Sequence, residues 1–243
     1  MKRTIIIVVA IVVVVAAVVT VIALRGWPGG LVGSGNLETE AYAFSDFTEI
    51  EIGSAFEFEI QQSSSYNISI TADDNVMDYV QVSQVGQTLK IGLGRFGPIG
   101  LVTLRASVAM PELLDLTVSG ASRGTVSGFS STEDLDITVS GASRVTGDIT
   151  AGNVEFEISG ASTIQLEGSG DDMVADVSGA SRLNLDDFTV SNADVDFSGA
   201  SSGTVNLDGR LDANLSGASR LWYIGEPMMG DINTSGASTV SKK

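Results

Sequence analysis

The tetrad Ser-Gly-Ala-Ser occurs seven times in this chain, beginning at Ser119, Ser140, Ser159, Ser178, Ser198, Ser216 and Ser235. Successive starts lie 21, 19, 19, 20, 18 and 19 residues apart. A period this short excludes a pair of helices per repeat, and the intervening segments lack helical periodicity. They alternate instead. Five, three and one residues before the tetrad stand Leu135, Ile137 and Val139 in one repeat and Val154, Phe156 and Ile158 in the next. Between them stand Asp136 and Thr138, then Glu155 and Glu157. Period-two alternation marks a strand with one buried face. A second apolar column follows the tetrad at Val145, Ile164, Leu183, Leu221 and Val240, with Gly124 and Gly203 as gaps.

One strand-rich repeat of about 19 residues is the length of one coil of a β-solenoid. Each coil is expected to contribute two or three short strands joined by corners, stacked about 4.8 Å above the coil before. The tetrad falls where one apolar strand stops and the next begins. It is read as the corner, with Gly120, Gly141, Gly160, Gly179, Gly199, Gly217 and Gly236 supplying positive φ, and alanine where stacked backbones approach closely. Serine hydroxyls in identical rotamers would repeat about 4.8 Å apart, too far to bond one another, so they are expected to satisfy corner backbone groups.

Composition removes whole classes of chemistry. The chain has no cysteine and no histidine, so disulfides, thiolate or imidazole metal ligands and histidine-based catalysis are absent. "GASRG" from Gly120 and "GASSG" from Gly199 match G-x-S-x-G but lack the histidine base of a serine hydrolase. Net charge is −17, and residues 38–243 alone carry 10 basic and 30 acidic side chains. Such a surface repels nucleic acid, so no nucleic-acid partner is expected. It attracts cations.

The chain opens with Lys2 and Arg3, then runs apolar from Ile5 to Leu24. Twenty helical residues reach about 30 Å, the thickness of a bilayer's hydrocarbon core. Residues 1–25 are read as an uncleaved membrane anchor, with lipid contact through residues 5–24 and the basic end cytoplasmic; a cleaved signal peptide, whose apolar stretch is usually only about 7–15 residues, and a buried core helix are the alternatives. The C-terminal body is then extracytoplasmic. Residues 26–37 read as a flexible Gly-rich linker, 38–112 as irregular N-terminal coils or a cap, and 113–243 as the regular solenoid.

The acidic columns are the main candidate site. Glu155, Glu157, Asp176, Asp194 and Asp196 are expected on one outward wall over three coils. Side chains about 5 Å apart between coils and about 7 Å apart along a strand fit three readings. The wall is solvated, with its repulsion relieved by salt or by the Arg123, Arg144, Arg182 and Arg220 column past the corner; or it binds a cation such as calcium; or it is a glycan-cleaving carboxylate set. Trp222-Tyr223 is the one paired aromatic.

"FSDFTEIEIGSAFEFEIQQ" (44–62), "YNISITADDNVMDYVQV" (66–82), "TLKIGL" (88–93) and the SGAS coils that follow resemble, in that order, the putative auto-transporter adhesin, head GIN domain family. The resemblance spans roughly residues 44–240. It implies a right-handed, single-stranded β-helix and a bacterial or archaeal envelope setting, and it carries over no catalytic residues. The expectation is therefore an all-β solenoid, preceded by one transmembrane helix, that serves as a structural or binding module in contact with surfaces, envelope polymers or proteins. A polysaccharide lyase or glycoside hydrolase using the acidic wall, and an envelope scaffold or stress-related subunit binding another membrane protein, are the alternatives.

Overall fold

The computed structural model describes residues 30–94 and 99–243. Every repeat folds into two strands, one in each of two sheets. Seven coils run in order: β8 (Asp115–Val118) with β9 (Arg123–Ser130), β10 (Leu135–Val139) with β11 (Arg144–Thr150), β12 (Val154–Ile158) with β13 (Thr163–Ser169), β14 (Asp172–Val177) with β15 (Arg182–Val190), β16 (Asn192–Phe197) with β17 (Ser202–Leu207), β18 (Arg210–Leu215) with β19 (Arg220–Ile224), and β20 (Met228–Thr234) with β21 (Thr239–Lys242). Each strand pairs in parallel with its counterpart one coil away. The alternation of apolar and polar residues decides the facing: Leu135, Ile137 and Val139 are buried between the sheets.

The tetrad is the corner between the sheets. Its glycines all take φ between +72° and +78°. Two constraints act at once, because a methyl group on Gly199 would lie 2.6 Å from the Gly179 carbonyl oxygen of the coil below. That carbonyl accepts the Ala200 N–H at 2.8 Å, and the same bond joins each corner to the next. The parallel ladder thus continues around the bend. The second serine of the tetrad, not the first, points inward: Ser122, Ser143, Ser162, Ser181, Ser201 and Ser219 are buried. Direct contact between hydroxyls does occur, contrary to the spacing argument, where Ser201 Oγ donates to Ser219 Oγ at 3.2 Å. Ser219 in turn donates to the Ser216 carbonyl at 2.8 Å. The 4.8 Å limit holds only where rotamers repeat.

The gaps in the second apolar column are filled from elsewhere. The ring of Phe197 lies 2.7 Å from where a methyl on Gly203 would be, and Phe58 occupies the equivalent space at Gly124. Unequal repeat lengths are absorbed chiefly as bulges in the sheet after the corner, at Gly147/Ile149, Gln165/Glu167 and Asn184/Thr189. A bulge restores the inward set that a one-residue slip would turn to solvent.

Residues before Asp115 extend both sheets by a different path. The order of one sheet is β1 (Leu37–Tyr42), β4 (Asn67–Asp73), β7 (Leu104–Met110), β3 (Glu57–Gln62), β9, and of the other β8, β2 (Glu49–Ile52), β6 (Thr88–Leu93), β5 (Val80–Val85). The coil formed by β2 (Glu49–Ile52) and β3 (Glu57–Gln62) therefore lies between the first SGAS coil and the later coil of β6 (Thr88–Leu93) and β7 (Leu104–Met110). The chain lays down β2–β3, builds outward, then returns through Pro111 to start β8. Three strands close the stack by antiparallel pairing: β4 (Asn67–Asp73) on β7, β1 (Leu37–Tyr42) on β4, and β5 (Val80–Val85) on β6. A single helical turn, α1 (Asp74–Met77), joins β4 to the strands that follow.

From residue 30 the segment expected as a flexible linker is bound. Gly33 N–H donates to the Leu101 carbonyl at 2.9 Å, and Gly100 N–H donates to the Leu31 carbonyl at 2.8 Å. Gly35 N–H and Thr103 N–H converge on the buried Asp73 carboxylate at 2.8 and 2.7 Å. These two donors hold that carboxyl below the usual range. Among the described residues no helix is long and apolar enough to cross a membrane. The anchor expected over residues 5–24 lies outside the described residues.

Candidate functional site

The two sheets present outer faces of different chemistry. On the face formed by β8 to β18, side chains at equal depth form files one strand spacing apart, about 4.8 Å. Asp115, Asp136 and Glu155 lie in one file with Glu49, and that file continues through Val174 to Asp194 and Asp212. Glu157, Asp176 and Asp196 lie in the next. Glu155, Glu157, Asp176, Asp194 and Asp196 thus share one wall, and all five are exposed. Their side chains leave the sheet side by side. Among the described residues no three acidic side chains form a group that could hold a metal ion.

Within the wall, Asp115 stands apart. Partial burial pushes its carboxyl up, and the charges of Glu49, Asp136 and Glu51 add to the shift against a hydrogen bond from Thr117. Cations meet this face only locally. Lys90 pairs with Glu51, and Arg210 grips Asp212 through Nε at 2.6 Å and Nη2 at 2.7 Å, drawing the Asp212 carboxyl down.

The arginine column does not relieve the wall. Arg123, Arg144, Arg182 and Arg220 lie around the corner, on the other sheet, in one file with Thr163 and Ser202 between them. All four are exposed, and among the described residues none has a carboxylate within ion-pair distance. The file continues into Glu57 and Arg105, which pair at 3.5 Å. Beside it runs an uncharged polar file, Thr125, Thr146, Gln165, Asn184 and Thr204. Where the two files reach the N-terminal strands they border a shallow depression of about 370 Å³, lined by Glu57, Glu59, Ser69, Thr71, Arg105, Ser107 and Thr125. Trp222 occupies the next place in the polar file, and Tyr223 packs against the core.

Each arginine follows its tetrad directly in the sequence, so the file was visible there. Its place past the corner was visible too; what was not visible was that none of the four reaches a carboxylate of the wall. The arrangement offers a ladder of charge-assisted donors on one sheet, with Asp148, Glu167 and Asp187 in a carboxylate file further along the same strands, and the longer acidic wall on the other sheet.

Comparison with known proteins agrees with this architecture. Residues 46–227 match the family model described as putative auto-transporter adhesin, head GIN domain. No curated protein matches the chain. Among solved structures, a putative adhesin from Bacteroides fragilis is similar, with a TM-score of 0.83 and 20% identity over 88% of this chain and 100% of that one. A putative adhesin from Parabacteroides merdae has a TM-score of 0.69 and 19% identity, covering 88% of this chain and 99% of that one. A putative lipid binding protein from Parabacteroides distasonis has a TM-score of 0.68 and 22% identity, with the same coverage of 88% and 99%. At such identities the likeness establishes a shared fold. The match to the family model covers most of the chain, and the protein belongs to the putative auto-transporter adhesin, head GIN domain family.

Proposed function

We propose that this protein is a membrane-anchored, extracytoplasmic binding module whose arginine file contacts anionic groups of an envelope polymer. The observation that carries the reading is the file itself. Four of the ten cations in residues 38–243 stand in one line on a rigid sheet, unneutralised, in a body with 30 acidic side chains. Guanidinium groups held in register bind carboxylate or sulfate without reorganising, and the acidic opposite face disfavours contact through the wrong side.

Residues 5–24 place the body at the membrane, and Lys2 and Arg3 orient it outward. The coils wind right-handed, as parallel strands joined by a crossover do in nearly all proteins. Names of the structural neighbours, adhesins and a lipid binding protein, are in keeping with a binding role. Catalysis by the acidic wall is the weaker reading. A glycosidase holds its carboxyl pair in a cleft around the sugar, and the five wall residues are exposed side chains on the outer face of a sheet.

The test uses the full chain in lipid nanodiscs, with fluorescent polygalacturonate as the anionic polymer and dextran as the neutral one. Polygalacturonate is expected to bind, with affinity that falls steeply as salt rises. Replacing Arg123, Arg144, Arg182 and Arg220 together by Ser should abolish that binding and leave the thermal midpoint little changed. Equal retention of the two polymers, or of polygalacturonate by the variant, would exclude the arginine file as the contact.

A further inference from the structure

Near the start of the described chain, two short segments are zipped together and turn apolar side chains outward. Leu31 bridges Ile99 in parallel, and the Gly33–Leu101 and Gly100–Leu31 hydrogen bonds hold the pair. Asn75 Nδ2 donates to the Val32 carbonyl at 2.9 Å, and Asp73 clamps both segments through Gly35 and Thr103. On this braced backbone Leu101 is 89% exposed, Val32 60% and Ile99 40%. Ile99 and Leu101 flank Gly100 in one segment, and Val32 Cγ2 of the other lies 3.1 Å from where a Gly100 side chain would begin. The same strap sends Leu31 inward against the core, so the fold has an apolar position available here and still leaves three others in water. Fixed, clustered aliphatic side chains mark a contact surface.

The chain itself says what that surface meets. Val32 follows Leu24, the last residue of the 20-residue apolar stretch, by eight residues. Even fully extended, eight residues span at most about 28 Å. A cluster on that tether remains within reach of whatever holds the stretch. Among the nearby acids, Asp73 is buried and held by backbone N–H groups and Asp74 accepts from Ser34, and the acidic wall begins further along the stack. We infer that Val32, Ile99 and Leu101 form a lipid-contacting foot that seats the solenoid on the outer surface of the bilayer spanned by residues 5–24. This rests on the membrane-anchor reading above. Insertion to the headgroup–acyl boundary would bury the three side chains and hold the stack at a set angle, with its arginine file displayed away from random tumbling.

The absence of native cysteine makes the test direct. Full-length Leu101→Cys, Val32→Cys and, as a control on the acidic wall, Val174→Cys are labelled with a polarity-sensitive fluorophore and reconstituted in phosphatidylcholine vesicles. Brominated phosphatidylcholine, with bromine near the headgroup end of the acyl chain, should cut the emission at 101 and 32 roughly by half and leave 174 unchanged, because an interfacial group sits at that depth. If the protein floats with the vesicles but the 101 probe stays open to aqueous iodide, the foot is wrong and the anchor stands. If the 101 probe is shielded from iodide without quenching by bromine, a protein covers the cluster and the lipid assignment falls. If the full chain does not float with vesicles at all, the anchor fails and the foot with it.

Discussion

Between Asp115 and Lys242 the strands run parallel, coil upon coil, whereas the first 80 or so residues of the described chain mix parallel and antiparallel pairing and are not stacked in chain order. The contrast shows that the SGAS repeat is a rule for propagation and carries no instruction for beginning. A parallel coil exposes an unsatisfied edge on both sheets, and adding another identical coil only moves that edge. Antiparallel strands β4, β1 and β5, bent back by α1 and by the two-residue turn at Gly86, cover it on the N-terminal side. The repeat needs glycine where backbones stack. The cap uses glycine where a chain simply reverses.

The junction between these regions should be the most sensitive point. Phe58 of β3 is buried over Gly124 of β9, and Phe58→Ala should cost about 3–5 kcal/mol in urea denaturation of the full chain in detergent. A loss below about 1 kcal/mol would mean that the stack stands without its cap. Next come the glycines. Gly199→Ala combines positive φ with a collision on the Gly179 carbonyl and is expected to lose about 3 kcal/mol. Gly86→Ala, at φ +64° with open space around it, should lose only about 1 kcal/mol. Equal losses would remove stacking as the reason for the corner glycine.

Asp73→Asn should lower the midpoint at neutral pH by less than Gly199→Ala does and should flatten the acid limb. The folded carboxyl lies below its ordinary value, so its contribution is present above the unfolded pKa of about 4 and is lost as pH falls through the folded value. A variant with the parent's acid limb would show that the strap does not depend on that charge. Asp115→Asn is the smallest effect and has the opposite sign. Its carboxyl is raised in the fold, so stability declines as pH rises from the unfolded toward the folded pKa. Removing the charge between Glu49 and Asp136 should add about 0.5 kcal/mol at pH 7, read from the urea midpoint.

Legibility in the sequence followed the same division. Leu135, Ile137 and Val139 announce a half-buried strand because strand periodicity is local, and seven copies make the stacking register redundant. The acidic files on one face follow from that register, whereas the choice of two strands per coil over three was made only in the fold. The irregular segment before Asp115 gave strands but no order, since nothing in β2 or β3 records that β6 and β7 will be laid down on their outer side. The stretch from residue 30 shows a related limit. Glycine-rich composition suggests slack, but Gly33, Gly35 and Gly100 are bound by groups far along the chain.

Read alone, the 243 residues settle the two-faced strand, the corner and the impossibility of histidine or cysteine chemistry, because each depends on neighbours a few residues away or on composition. Folding decides which strands lie side by side at the closed end, that Phe58 and Phe197 fill the spaces left by Gly124 and Gly203, and that the four arginines stand out of ion-pair reach of the Glu155–Asp196 wall. Those outcomes depend on contacts between segments tens of residues apart, where volume and backbone hydrogen bonding select one arrangement from several that the local pattern permits equally.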